Sequence, residues 1–488
     1  VATDLPVTLK WVLAISLIVY VMVMFGVCLW AHKRVKDVED YVVAGRRLPL
    51  SLAWATLLAT WFGASTMLTQ AGEVAREGVR QAALDPIGGG LCLIIAGTFY
   101  ARPLWEMNLL TTSDFFRIKF GEKAEIMSAL IMIPSFFGWI AAQFVAFAHI
   151  LDYFFGIPFV LGVLLVAIVG TSYTLLGGMW SVTLTDAIQI TLIIIGLILL
   201  TFKVFAAMGG GDFSHGLTSV LTHVEQVSPE KLVWIPHESA SQFWAWASIL
   251  CAGALGNLPG QDLMQRVFAS KSATVARQAC WVAGGAYLAL GMLPVLLGLA
   301  AASHFGSKNE DSVIPALAHV FLDPVYTIIF VLVLLSVVLA TIDSAILAPA
   351  TVMAQNLLIK VKWIKISPLN LNRLCVLFVA TCSLIMALTQ SRAFSLLENA
   401  YSMTMVGLFV PLTLGLFLKP KSGWPAIAAM VVGPGLWLPQ YIAGWTYFLE
   451  GFEPIGSIGL SLSLSCTGAA LTAYLILHYL LKSPVTAD

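Results

Sequence analysis

Two stretches decide the fold: Leu58-Ala-Thr-Trp-Phe-Gly-Ala-Ser-Thr-Met67 and Cys251-Ala-Gly-Ala-Leu-Gly-Asn-Leu-Pro-Gly-Gln-Asp262. Each sits inside an apolar run long enough to cross a bilayer. The first mixes hydroxylated and small residues with a glycine. In the second, Gly253, Gly256, Pro259 and Gly260 oppose a continuous helix. A broken helix at membrane depth is tolerated only where it is buried in protein or lines a cavity. Helix packing by small residues would explain either stretch alone. Two breaks five spans apart, in corresponding positions of two halves, point instead to the midplane site of a transporter.

The rest of the chain agrees with a membrane setting. Of 488 residues, 59% are hydrophobic and 11% charged, against about 25% charged in a soluble domain. A chain so poor in charge cannot cover itself in water. The apolar runs are continuous rather than alternating, so they read as helices and not as barrel strands. Thirteen spans are expected, at about 8–31, 49–71, 82–104, 122–153, 157–177, 182–208, 240–263, 274–303, 315–356, 370–389, 393–418, 422–446 and 456–482. They are numbered in that order below. The ninth is too long for one crossing and is expected to include a short surface helix before Asp323-Pro324. The fold class is therefore an all-α polytopic membrane protein.

Placing the N-terminus outside leaves seven of the 26 Lys and Arg residues on the outer side: Lys10, Arg76, Arg80, Lys203, Lys231, Lys308 and Arg392. The other 19 fall in inner loops, which is the positive-inside pattern. Thirteen spans then put the C-terminus in the cytoplasm, with the chain in the plasma (inner) membrane. The long outer loop, 209–239, is expected to fold as a small cap. Acidic and basic residues balance, at 26 each, so net charge gives no sign of nucleic acid. All seven cysteines fall in apolar segments and read as packing residues. No Gly-x-Ser-x-Gly or His-Glu-x-x-His pattern occurs, and His149 and His304 are isolated, so an enzyme is not expected. Nothing resembles a repeated carbonyl filter of a channel.

Two further stretches carry polar chemistry inside spans. In Val337-Val-Leu-Ala-Thr-Ile-Asp-Ser344, Thr341 and Ser344 put hydroxyls one turn apart and Asp343 puts a carboxylate deep in a helix. The hydroxyls either bond back to their own helix or serve a small hard cation. The carboxylate needs a cation, a proton or a partner. In Gly177-Gly-Met-Trp-Ser-Val-Thr-Leu-Thr-Asp-Ala-Ile-Gln189, Asp186 lies one to two turns into the sixth span. It either caps that helix, pairs with a base or binds a cation.

At these residues the sequence resembles the sodium/solute symporter family, which includes proline, glucose, sialic acid and choline transporters. The similarity runs over nearly the whole chain. It includes Asp40-Tyr-Val-Val-Ala-Gly-Arg-Arg47, Tyr173 through Gln189, Gln265-Arg-Val-Phe-Ala-Ser-Lys-Ser-Ala273 and Ala340-Thr-Ile-Asp-Ser-Ala-Ile-Leu347. The motif order is most similar to the high-affinity choline transporter branch. The resemblance implies a LeuT-type core of five plus five helices in inverted repeat, at 49–208 and 240–418. One helix and a cytoplasmic loop (1–48) precede it, the extracellular loop (209–239) divides it, and two helices (419–488) follow. Sodium is the implied coupling ion, with no organic cofactor.

Carried over by motif, the resemblance implies a sodium site from the carbonyls of Ala59, Phe62 and Val337, the position of Ala340 and the hydroxyl of Thr341. Ala340 stands where many relatives have Ser, so only its carbonyl remains. A second cation position would use Asp186, Asp343 and Ser344. Choline-type members cage a quaternary ammonium with aromatic rings. Trp61 and Trp139 match two of those rings, whereas Gly89 and Gly260 stand where two others are expected. Asp85 either supplies a negative charge to a cationic solute or caps a helix before Pro86. Gln143, one turn from Trp139, is expected to share its cavity, and Gln261 and Tyr401 are further candidates. The expected function is sodium-coupled import of a small polar solute, choline- or betaine-like, by alternating access. A proline-type amino acid or organic acid symporter is the nearest alternative. A membrane sensor built on the same fold is the alternative of another class. Expected partners are the solute, sodium ion and lipid.

Overall fold

The computed structural model describes residues 7–63, 65–306, 313–361, 363, 365–389, 393–452 and 456–481. Of the charges weighed for orientation, Lys308, Lys362, Arg392 and Lys482 lie outside the described residues. The chain is an all-α polytopic membrane protein. Each of the thirteen apolar segments holds a helix. Among the described residues nine helices are long and apolar enough to cross a membrane, from Trp11–His32 to Leu462–Leu480, with shorter apolar helices at Leu50–Trp61 and Phe159–Ser172.

Burial separates centre from periphery. In the fourth span, Glu122–Phe155, 83% of the apolar window is buried in protein; in the first, Trp11–His32, only 22% is. Trp11, Ile15, Ile18 and Met22 of the first span face outward. Apolar side chains there lose nothing if the surrounding solvent is hydrocarbon. The fourth span instead forms the axis against which the second, fifth, ninth, tenth and eleventh spans pack.

Both expected breaks are present. The second span is helical over Leu50–Trp61, unwinds at Phe62 (φ −80°, ψ 65°) and resumes as a wider turn at Ser65–Thr69 before Gln70–Glu77. The seventh is helical over Ala240–Gly256 and restarts at Gln261–Ala269, with Gly260 extended (φ −56°, ψ 130°). A third discontinuity separates the fifth and sixth spans inside Phe159–Met208. There Gly178 adopts φ 53°, and a Cβ on it would lie 2.5 Å from the Tyr41 carbonyl oxygen. Only glycine fits that backbone and that contact.

The segment before Asp323-Pro324 is a separate helix, Val313–Phe321, but it is not a surface helix: residues Val313 to Ala318 are buried. The 209–239 loop folds as helix Phe213–Val227, capped by Asp212, followed by a short turn at Pro229–Leu232. Lys231 Nζ donates to the Ala75 carbonyl at 2.6 Å, which ties this loop to the end of the second span. At the opposite end a short helix, Thr112–Phe120, is clamped between the two halves. Gln261 Oε1 accepts from the Thr112 amide at 2.7 Å. Asn356 Nδ2 donates to Asp114 (3.0 Å) and to the buried Glu125 (2.8 Å), and Lys360 closes on Glu125. Cys28, Cys92, Cys280, Cys375 and Cys466 are buried and free.

Candidate functional site

The break in the second span meets the ninth span directly. A Cβ at Gly63 would lie 2.5 Å from Thr341 Oγ1, 3.0 Å from Thr341 Cγ2 and 3.2 Å from Gln143 Oε1. The absent side chain therefore lets backbone approach a hydroxyl and an amide oxygen. Thr341 Oγ1 donates to the Val337 carbonyl at 3.1 Å, and Ser344 Oγ to that of Ala340 at 3.2 Å. Both hydroxyls bond back to their own helix, and that of Thr341 keeps its lone pairs for another partner. On the other side of the contact, Leu50–Trp61 ends, and the last carbonyls of a helix have no amide above them. Phe62 N takes the Leu58 carbonyl and Gly63 N that of Trp61. Ala59, Phe62, Val337, Ala340 and Thr341 thus fall on the two elements in contact. Gln143 belongs to this end, buried one turn from Trp139, rather than to the cavity that Trp139 lines.

Asp186, Asp343 and Ser344 also come together, around a cation that the chain itself supplies. The Arg266 side chain is 1% exposed. Its Nη2 donates to Ser344 Oγ at 2.5 Å and lies 3.9 Å from Asp186 Oδ2. Its Nη1 donates to the Asp262 carbonyl at 2.9 Å. Thr56 Oγ1 donates to Asp186 Oδ2 at 2.5 Å, Thr60 Oγ1 to Ser344 Oγ at 3.0 Å, and Ser344 Oγ sits 3.2 Å from Asp343 Oδ1. Asp186 Oδ1 has no hydrogen-bond partner among the described residues. Asp186, Asp262 and Asp343 are all buried, and of the three carboxylates only that of Asp186 forms an ion pair with Arg266 among the described residues. Arg266 stands in the quoted motif Gln265-Arg-Val, but its partners lie about 80 residues away in the chain, and no local pattern reveals them.

Beside this cluster is a small cavity lined by Phe136, Trp139, Asn257, Gly260, Asp262 and Tyr401, with Ser135 and Thr404 at its edge. It has a volume of about 20 Å³, room for about one water. The Trp61 indole Nε1 donates to Asp262 Oδ2 at 2.9 Å and orients that carboxylate. The two missing rings have substitutes. A Cβ on Gly89 would meet the Tyr287 ring at 2.9 Å, and one on Gly260 would meet Asp262 Oδ1 at 2.7 Å. Tyr287 packs edge-on against Trp61 (centroids 6.3 Å) and Phe62 (5.8 Å). A ring from the eighth span and a carboxylate therefore occupy the space that the two glycines leave.

Two expected solute ligands are engaged elsewhere. Asp85 is 3% exposed and accepts from Tyr287 OH at 2.5 Å and Thr66 Oγ1 at 2.7 Å, so it braces the break from behind. Gln261 points away from the cavity to Thr112 and Leu110. Neighbouring positions on a helix point about 100° apart, and it is Asp262 that faces the cavity. Trp139 and Tyr401 do line it, and Trp61 reaches it through its bond to Asp262; Asp262 at the cavity, and Tyr287 and Arg266 behind it, are the additions.

Two interrupted helices crossing at a buried polar centre, inside an all-α membrane bundle, define a LeuT-type secondary transporter. Comparison with solved structures gives the same fold: a Na⁺-coupled sialic acid symporter in a substrate-bound, outward-open state superimposes with a TM-score of 0.78, covering 97% of this chain and 98% of that one, at 17% identity. The model described as "Sodium:solute symporter family" matches residues 41–433, and the chain belongs to that family. Among curated relatives, the human high affinity choline transporter 1 is 27% identical over 453 residues, covering 86% of this chain and 75% of the relative. The sodium/pantothenate symporter of Haemophilus influenzae is 24% identical over 455 residues, covering 87% and 89%.

Proposed function

We propose that this protein is a sodium-coupled symporter that imports a small organic cation or quaternary ammonium zwitterion by alternating access, and that it is no enzyme. The observation that carries the solute class is Asp262, a carboxylate held by the Trp61 indole in a cavity walled by Phe136, Trp139 and Tyr401. Aromatic faces attract a cation by about 0.5–2 kcal/mol each, and a desolvated carboxylate adds several more at short range. An anionic solute would meet repulsion from the same group. The choline transporter relatives support this reading, since an ammonium is the feature their named solute would present here.

Sodium, as the co-transported ion, is assigned to the contact between the second-span break and the ninth span: the carbonyls of Ala59, Phe62, Val337 and Ala340, with the Thr341 hydroxyl. Its binding would hold the broken second span against the ninth and leave the solute cavity organised. Asp186, Asp343 and Ser344 are assigned to Arg266 rather than to a second sodium, which makes the expected sodium dependence non-sigmoidal. The two repeats are taken as 49–208 and 240–418, with the Lys- and Arg-rich loops and the C-terminus in the cytoplasm of a cell whose plasma membrane holds the protein.

The test is thermal stability of the purified chain in sodium against potassium, with choline, betaines, amino acids, sugars and carboxylates. A ligand that binds only the folded state raises the midpoint by mass action. A sodium-dependent rise with a quaternary amine that disappears in Asp262→Asn is the expected result. A rise with an anionic solute, retained in Asp262→Asn, would overturn the assignment.

A further inference from the structure

A second cavity opens near the end of the bundle where the seventh and eleventh spans begin and the twelfth span ends. It is about 360 Å³ in volume, far larger than the central cavity, and its walls include Glu398, Asn399, Trp437, Tyr441, Trp445 and Tyr447. Four of these six side chains are aromatic. Trp437 and Tyr441 stack with centroids 4.9 Å apart and planes 5° from parallel. Their polar tips are tied off: Trp437 Nε1 donates to Ser463 Oγ at 3.2 Å, and Tyr441 OH accepts from Asn399 Nδ2 at 2.8 Å. These bonds fix the two rings as one rigid wall. Trp445 and Tyr447 come from the turn between the last two spans. That turn is ordered by its own hydrogen bonds, Trp445 N to the Gln440 carbonyl (3.0 Å) and Phe448 N to that of Leu460 (2.9 Å).

Two carboxylates lie near this wall, and they differ. Glu450 Oε2 accepts from the amides of Thr446 (2.6 Å) and Tyr447 (3.2 Å), so it is occupied in shaping the turn. Glu398 is partly buried and lines the cavity, and among the described residues it has neither an ion pair nor a hydrogen bond. A carboxylate drawn out of bulk water without a partner takes either a proton or a cation, and Glu73, close enough to act on Glu398 electrostatically, adds negative charge that a bound cation would relieve. Beside aromatic walls the cation that fits is organic, because a ring attracts an alkylammonium through both its quadrupole and its apolar face.

We propose that this cavity is a second binding site, outside the central one, for a small organic monocation such as a tetraalkylammonium or a choline-like headgroup. It rests on the same cationic solute class as the central assignment, but on different residues. Glu398, Asn399 and Ser402 line it from the eleventh span, the same helix that sends Ala400, Tyr401 and Thr404 to the centre. A cation bound at Glu398 is thus held within one or two helical turns of the central cavity.

The experiment is equilibrium binding of radiolabelled tetramethylammonium to the purified full chain, in potassium without sodium, for wild type and for Glu398→Gln, Trp445→Ala and Trp139→Ala. Glu398→Gln is isosteric, and Trp445 lies outside the helices, so both variants are expected to fold; gel filtration and the thermal midpoint check that they do. Expected are saturable binding to wild type, about tenfold weaker binding in Glu398→Gln and in Trp445→Ala, and wild-type binding in Trp139→Ala. The neutral isostere 3,3-dimethylbutanol should not compete. Absence of saturable binding, or binding untouched by Glu398→Gln and Trp445→Ala, would overturn the proposal. So would loss in Trp139→Ala alone, which would place the only cation site at the centre. Failure of the central assignment shows separately: the sodium-dependent thermal rise is then retained in Asp262→Asn, while Glu398→Gln still weakens the tetramethylammonium isotherm.

Discussion

Replacing Gly63 by alanine tests the ion site through one methyl group. The new Cβ would sit 2.5 Å from Thr341 Oγ1 and 3.0 Å from Thr341 Cγ2, each well inside van der Waals contact. Thr341 is fully buried and β-branched, so its side chain cannot swing clear. The break must instead move off the ninth span. Overpacking of this kind costs about 1–3 kcal/mol, and every 1.4 kcal/mol is about tenfold in a binding constant. If the sodium ligands straddle this contact, the sodium concentration that half-stabilises the protein should rise by about ten- to a hundredfold. The assay is a sodium titration of the thermal midpoint at constant ionic strength, with choline chloride excluded from the buffers. Gly285→Ala is the control, because nothing lies within 4 Å of its Cβ position; its sodium midpoint should equal that of wild type. A folded Gly63→Ala protein with the wild-type sodium midpoint would refute the assignment of sodium to this contact.

Thr341→Ala should raise the sodium requirement steeply and leave the chain folded, since the lost hydroxyl bonds only within its own helix in the absence of the ion; sodium-dependent solute uptake reads this. Arg266→Gln leaves buried carboxylates without their guanidinium and should destabilise the fold by about 3 kcal/mol or more. The double variant Arg266→Gln/Asp186→Asn should recover part of that loss, and a thermal midpoint equal to the single variant's would disconnect the two residues. Asn356→Ala removes the bonds to Asp114 and Glu125, at about 1–3 kcal/mol for each group left unsatisfied. Amide exchange over Thr112–Phe120 should then quicken, and unchanged exchange would show that the clamp does not hold this helix.

The two breaks were legible because glycine and proline inside an apolar run have a direct backbone meaning, and both lie where the helix unwinds. Thr341, Ser344, Asp186 and Asp343 were legible because a polar side chain at membrane depth needs a reason. What surrounds them was not. Arg266 reaches Asp186 and Ser344 across about 80 residues of chain, and Tyr287 is an ordinary tyrosine in an apolar helix until it is seen filling the space beside Gly89. Gln261 and Asp262 show the limit most sharply. Both follow the same break, and only the helix phase decides that the amide goes to Thr112 and the carboxylate to the cavity. That phase depends on where Gln261–Ala269 restarts, which a glycine-rich stretch does not announce.

Arg266 has an electrical consequence. A sodium ion leaves at the end of each cycle and takes its charge with it, whereas a guanidinium is fixed to its helix. With Arg266 among Asp186, Asp343 and Ser344, the emptied carrier keeps part of its internal negative charge neutralised. Moving one elementary charge through a membrane potential of 100 mV costs about 2.3 kcal/mol. A carrier that retains its own cation has that much less charge to drag back through the field, so its return step should depend less on voltage than its loaded step.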